Sequence, residues 1–278
     1  MKYRHSFHAG NFADVHKHVT LLALLAALAR KDKGFFFLET HAGRGAYDLS
    51  GAPASHESAG GIARLHGAAP QSEELGAYLR TVEGWRSEAR APHGYPGSPL
   101  LATRLLRPQD RAVLIELRPE EARALSRALG TSSNVRVEPG DGFECLRAHL
   151  PPRERRGLTL IDPPYETALE ASRAESAILE ILRRFATGVI ALWYPIKDAR
   201  DTGAWLARLG AGIAVPALLG ELWIHPCDSH VALNGSGMLI VNPPFRVAER
   251  MREWLPELHA QLDPARAGGT SVRMLREG

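Results

Sequence analysis

Cysteine is almost missing from this chain. Its 278 residues include two, Cys145 and Cys227, far apart and without Cys-x-x-Cys spacing. That excludes a disulfide-stapled scaffold, leaves no cysteine zinc site, and fits a reducing cytoplasm. No His-Glu-x-x-His pattern occurs either, so the histidines of "HSFH" and "HKH" are not read as a metal centre and no metal is expected. Long apolar runs are also lacking. The longest, "VTLLALLAALA" from Val19 to Ala29, falls short of the ~20 residues of a membrane span and reads as a buried helix. The opening "MKYRHSFHAG" has no apolar signal core. No membrane partner is expected, and a monomer is. Neither repeats nor low-complexity tracts are present. Charge of one sign is not in large excess: 34 Lys and Arg stand against 31 Asp and Glu, a formal net charge of +3. This permits a nucleic-acid partner through a local patch without demanding one. An ordinary arginine-rich enzyme has the same balance.

What is present is a hydrophobic content of 45%, ample for a buried core. "FFFLE" after Gly34, "AVLIEL" at 112–117, "LTLID" at 158–162 and "GVIALWY" at 188–194 read as buried parallel strands. Helix-like stretches alternate with them. In "RPEEARALSRALG", Pro119 suits a first helical position, Glu120 and Glu121 suit the positive helix end, and Gly130 suits the stop. Alternation of this kind predicts an α/β fold on a parallel sheet. The link from Glu39 to Ala112 is much longer than a βαβ unit needs. We therefore divide the chain into a Rossmann-like domain, 1–49 with 98–278, and a small helical subdomain inserted at 50–97, with a helix near 71–90. Ser98 is the expected N-cap of the crossover helix, Pro99 its first residue, and Pro108 lies beyond its end. Near the carboxyl terminus, "AVPALLGELWIHP" and "GSGMLIVNPP" are separated by a hairpin-length link, so the last strand is expected to run antiparallel. The tail after Pro264 reads as a loose end.

Ligands of an open α/β sheet bind outside the carboxyl ends of the strands. The segments found there are "ETHAGRGAY", Glu116, "PGDGF" and "DPPYE". Gly43 and Gly45 allow close backbone approach. Glu116 can accept from two ribose hydroxyls, Asp141 from an adenine amine, and Ser98 can donate to a carboxylate. Each also has a bland reading, as a tight turn or a solvated strand end. "THAGRG" lacks the Gly-x-Gly-x-x-Gly of a dinucleotide site and Arg44 would crowd a pyrophosphate, so a phosphate-free nucleoside such as S-adenosylmethionine fits better.

"DPPY" at 162–165 is the most specific of these signals. The exocyclic amine of adenine is a poor nucleophile because its lone pair is delocalised into the ring. Two in-plane acceptors, the Asp162 carboxylate and the Pro163 carbonyl, can hold both amine hydrogens and turn the lone pair toward a methyl donor. The prolines stiffen the turn and remove competing N–H groups. Tyr165 can stack on the base, worth ~1–3 kcal/mol. "VNPPF" at 241–245 could serve as such a clamp too, but it follows the strand that runs backwards. Asn242 is therefore assigned to a turn at the opposite edge.

Together, "YRHSFHAGNFADVHKH", "THAGRGAYDL", "YPGSP", "GDGF", "RRGLTLIDPPYE", "RFATGVIALWYP" and "SGMLIVNPP" resemble the bacterial 23S ribosomal RNA adenine-N6 methyltransferase family (RlmJ) over nearly the whole chain. The resemblance implies a class I S-adenosylmethionine-dependent methyltransferase fold acting on one adenine of 23S rRNA. It implies cofactor contacts for His18, His41, Ser98, Glu116, Asp141 with Gly142, and Asp162, to which the residue reading above adds the Gly43 backbone. It further implies that Tyr3, His5 and Lys17 meet the RNA or complete the site. In this chain the first strand ends in Glu39 where an aspartate is usual, and "GRGAY" stands for an order nearer "GAGRY". The alternatives are an adenine-N6 methyltransferase of DNA, which DPPY alone does not distinguish, and a non-catalytic RNA-binding protein of the same fold. The basic run Arg147–Arg156 precedes the fourth strand and is expected at the edge away from the site.

Overall fold

The four apolar runs form the centre of one eight-stranded sheet in the computed structural model, which describes residues 8–50, 57–226, 229 and 233–277. Strand β1 (Phe36–Glu39) lies in the middle, parallel to both β4 (Arg111–Glu116) and β6 (Gly157–Ile161). Parallel β5 (Val135–Pro139) and β7 (Val189–Ile196) extend the two sides. Strand β9 (Gly235–Val241) inserts antiparallel between β7 and β8 (Ala217–Trp223), so the backward strand expected from the short link is present. Every residue of β1, β6 and β9 is buried, as helices on both faces require.

The alternation of side chains along β1 and β4 separates two cores. Phe37, Ala112 and Leu114 face one side, and Phe36, Leu38, Val113 and Ile115 face the other. The first core is covered by α1 (Phe12–Ala29), α2 (Glu73–Ala89) and α8 (Val247–Leu262). The second is covered by α5 (Gly142–His149), α6 (Ala168–Arg184) and α7 (Ala199–Gly212). Helix α1 begins where Asn11 accepts from the Asp14 amide, before the apolar run that announced it. At 18 residues it is long and apolar enough to cross a membrane, yet most of it is buried against α2, α8 and β9. Helix α4 (Pro119–Leu129) starts at its proline and stops at Gly130, whose φ is +66°, as expected.

Three expectations are corrected. The tail is not loose: β10 (Gly269–Arg276) pairs antiparallel with β8, which would otherwise be an open edge. Its Val272 and Met274 turn to the first core and Leu275 to the second, a period-two pattern too short to stand out in sequence. The crossover helix is α3 (Ser98–Thr103), six residues long, and its N-cap is Gly97. Ser98 does not cap it, because its hydroxyl donates to Glu39 instead. The insertion contains the helix expected near 71–90, but Leu75, Tyr78 and Val82 are buried in the first core beside α1 and form no separate one. Its ends are joined by a two-stranded ribbon, β2 (Ala46–Asp48) with β3 (Gly94–Pro96).

Candidate active site

Because β5, β4, β1 and β6 are parallel, their carboxyl ends lie at one edge, and a cavity of about 500 Å³ opens there. Lys17, His41, Gly43, Ser98, Glu116, Asp141, Gly142 and Asp162 all line it. Its size is that of a pocket for a small organic ligand.

The end of β4 is tied to the glycine loop. Glu116 accepts from the Gly43 amide at 2.8 Å through one carboxylate oxygen and from the Arg118 amide at 2.8 Å through the other. Gly43 takes a φ of +65°, which glycine adopts without steric cost. Asp141 caps α5 through the Phe143 amide at 3.0 Å and pairs with Arg173 at 2.8 Å. Burial pushes the Asp141 carboxyl up, but Arg173 and the helix amides outweigh it and hold it below its ordinary value. Burial also drives His41 down to about 4, so its ring is neutral at pH 7. That ring packs edge-on against Phe143, with Nδ1 2.7 Å from the Thr40 hydroxyl. At Gly142 a Cβ would lie 1.9 Å from the Thr40 carbonyl oxygen, so only glycine permits this crossing.

Beneath Ser98, Glu39 is wholly buried. Burial pushes its carboxyl up to about 8, the Ser98 hydrogen bond and Lys17 opposing in part. One of its oxygens accepts from Ser98 and the other, also buried, has no partner.

At the end of β6, Asp162 Oδ2 accepts from Lys17 Nζ at 2.5 Å, and the same ammonium donates to Asp14 at 2.8 Å. The three side chains are 12%, 4% and 4% exposed respectively. Burial alone would lower the Lys17 pKa, but the two carboxylates outweigh it and raise it well above the ordinary value. Among the described residues, Asp162 Oδ1 has no hydrogen-bond partner.

Several expected residues stand elsewhere. His18 does not line the cavity. Neighbouring helical positions point about 100° apart; with Lys17 aimed at Asp162, His18 turns into the core, where it stacks on Tyr95 and meets its hydroxyl at 2.8 Å. Pro163 is buried while Pro164 lines the cavity. Tyr165 is turned aside rather than presented to a base: its φ is +50°, its hydroxyl donates to the Trp193 carbonyl at 2.8 Å, and its ring rests edge-on against Trp193. Lys17 is buried behind Asp162 and not displayed on an outer surface. Tyr3 and His5 lie outside the described residues, as does Cys227. Asn242 sits beyond the end of β9 and ties down a turn by donating to the Ala186 and Gly188 carbonyls, both at 2.9 Å. Reading the sequence missed Asp14, Phe143 and Arg173. Only Asp14 carried a signal, its i,i+3 spacing to Lys17. No group of three or more His, Cys, Asp or Glu among the described residues could hold a metal.

A family model described as "Ribosomal RNA large subunit methyltransferase D, RlmJ" matches residues 32–275. The chain belongs to this family. It is a methyltransferase whose cofactor is S-adenosylmethionine. It is 41% identical to the ribosomal RNA large subunit methyltransferase J of Escherichia coli K12, with 98% of each chain covered. The Haemophilus influenzae protein of that name is 39% identical, with 99% of each covered. A crystal structure of a Legionella pneumophila protein superposes with a TM-score of 0.85 at 34% identity, covering 96% of this chain and 98% of that one. The residues present fit the family's cofactor. Glu116 offers a carboxylate for a ribose diol, Gly43 and Gly142 line the cavity beside it with backbone alone, and the unpartnered buried oxygen of Glu39 suits an ammonium group.

Proposed function

We propose that the protein methylates the exocyclic N6 of one adenine in 23S rRNA, using S-adenosylmethionine. The relatives named for large-subunit ribosomal RNA support the substrate. The observation that carries the chemistry is Asp162, which lines the cavity with one oxygen pinned by Lys17 and, among the described residues, no hydrogen-bond partner on the other. When bound, the cofactor supplies an electrophilic methyl group on a sulfonium. The target base leaves its stack and enters the cavity. Asp162 Oδ1 accepts one amine hydrogen and the Pro163 carbonyl accepts the other, so the nitrogen lone pair is turned out of conjugation. Glu116, Gly43 and Asp141 hold the nucleoside end of the cofactor, and Ser98 with Glu39 its amino-acid end. Positioning of this kind is worth several powers of ten in rate. Tyr165, locked onto Trp193, stiffens the turn that carries both acceptors; stacking on the base would require it to swing away. Tyr3 and His5 are assigned to the RNA. A ribosomal substrate makes this a soluble cytoplasmic protein, acting as a monomer without a metal.

The test is methyl incorporation from labelled cofactor into protein-free 23S rRNA, assembled subunits and duplex DNA, followed by nucleoside mass analysis. N6-methyladenosine in the rRNA at one position is expected. Incorporation into DNA alone, or none into rRNA in either form, contradicts the proposal.

A further inference from the structure

Among the described residues, the hydrogen bond that holds Asp162 does not come from its own turn. The grip comes from the other end of the fold, through a buried ammonium on the first turns of α1. Asp14 is the next member of that chain. Its Oδ1 accepts from Lys17 Nζ at 2.8 Å, and its Oδ2 accepts from the Gly10 amide at 3.0 Å, just before the helix. Its own amide donates to Asn11 at 2.9 Å. Asp14 is 4% exposed and does not line the cavity, so it cannot touch substrate or cofactor there.

We propose that Asp14 is a positioning residue for methyl transfer: it fixes the Lys17 ammonium, which in turn fixes the rotamer of Asp162 and reserves Oδ1 for the adenine amine. This rests on the amine-clamp reading given above. The reasoning is geometric. A lysine side chain is long and has rotatable donors, so by itself it can follow a carboxylate through many rotamers. Two buried acceptors on separate elements, each within hydrogen-bond distance of Nζ, restrict it to the position that satisfies both. The Trp193 ring, 6.0 Å from Nζ, closes a third side. Among the described residues Asp162 is thereby held through one oxygen, and fixing Lys17 fixes the direction in which the second is presented. The cluster of Asp14, Lys17 and Asp162 carries a net charge of −1, next to a site for a sulfonium cation, and Glu39 is the further acid whose field meets Lys17.

Replacing Asp14 by Asn keeps the shape and breaks the link. If the amide oxygen stays on Gly10, the amide NH2 is turned toward the ammonium, donor against donor. The Asp14→Asn variant is compared with the full-length wild type in kcat across pH 6 to 10, in KM for rRNA, and in cofactor Kd by calorimetry. The expected result is a kcat lower by roughly 10- to 100-fold, the scale of a small misplacement at a reacting centre. Cofactor Kd stays within about twofold and KM within about threefold. Lys17, held well above its ordinary value, keeps the wild-type kcat from falling below pH 10; in the variant an alkaline fall enters that range, because Lys17 has lost one of the two carboxylates that raise its pKa. A merely structural role would not move that limb. An unchanged kcat and limb, or a loss of cofactor affinity in parallel with rate, overturns the proposal. Asp162→Asn run beside it separates the two claims. If that variant is as active as wild type, the clamp reading fails first; if it is inactive while Asp14→Asn behaves as wild type, only Asp14 is misassigned. Should Asp14→Asn not fold, Lys17→Gln tests the same link, with a fall in kcat at retained cofactor Kd expected and an unchanged kcat contradicting it.

Discussion

Glu39 is buried under Ser98 at the floor of the site, and the Glu39→Gln variant should be more stable than wild type in a pH-dependent way. In the folded, cofactor-free protein burial places its pKa at about 8; an exposed glutamate in the unfolded chain titrates at 4.5. A group whose pKa is raised on folding contributes fully below the unfolded value and loses that contribution as pH rises through the folded one. The glutamate is therefore harmless at pH 4. At pH 7 the folded state must keep a proton that the unfolded state has released, which costs about 3 kcal/mol, rising to about 5 kcal/mol at pH 9. Glutamine copies the protonated form: its oxygen can still accept from Ser98, and its NH2 takes the place of the carboxyl O–H. Urea denaturation of both proteins without cofactor, at pH 4, 7 and 9, measures the effect. The curves should coincide at pH 4 and separate progressively above pH 5, with the variant the more stable. Parallel pH dependence of the two proteins would refute the reasoning, because it would mean that Glu39 is ionised in place.

Two further substitutions probe the frame of the site. Gly142→Ala drives a Cβ into the Thr40 backbone at 1.9 Å, so β1 and α5 must separate; stability should fall by about 1–3 kcal/mol, as overpacking does, and calorimetric cofactor affinity by at least tenfold. Asn242→Ala removes two hydrogen bonds and leaves alanine at a φ of +53°; a loss of about 2 kcal/mol in denaturation midpoint analysis is expected from those bonds, with kcat unchanged. A large kcat loss there would mean that the second Asn-Pro-Pro turn takes part in chemistry.

Much of this architecture was legible because its signals are local. Apolar runs bounded by glycine and proline marked β1, β4, β6 and β7, and a short link marked β9 as antiparallel and so disqualified Asn242. Residues at strand ends could be gathered into one site because parallel strands share an edge: His41, Glu116, Asp141 and Asp162 did meet at one cavity. What escaped depends on contacts distant in sequence. Strand β10 exists because β8 offers an edge, a fact absent from "GTSVRMLR" itself. Ser98 looked like a cap because caps are serines, but a buried carboxyl at residue 39 claims its hydroxyl. His18 and Lys17 are neighbours in the chain, and only the rotation of α1 decides which of them reaches Asp162. Tyr165 had the composition of a stacking residue, but the left-handed backbone at that position aims it at Trp193.

The central claim is that Asp162 holds the adenine amine. Single-turnover methylation of 23S rRNA by Asp162→Asn at saturating S-adenosylmethionine tests it most directly, with cofactor affinity measured on the same preparation. Asparagine keeps the size of the side chain but replaces an acceptor oxygen by a donor, so the rate should fall by at least ~100-fold while the cofactor still binds. Methylation at the wild-type rate would contradict the account.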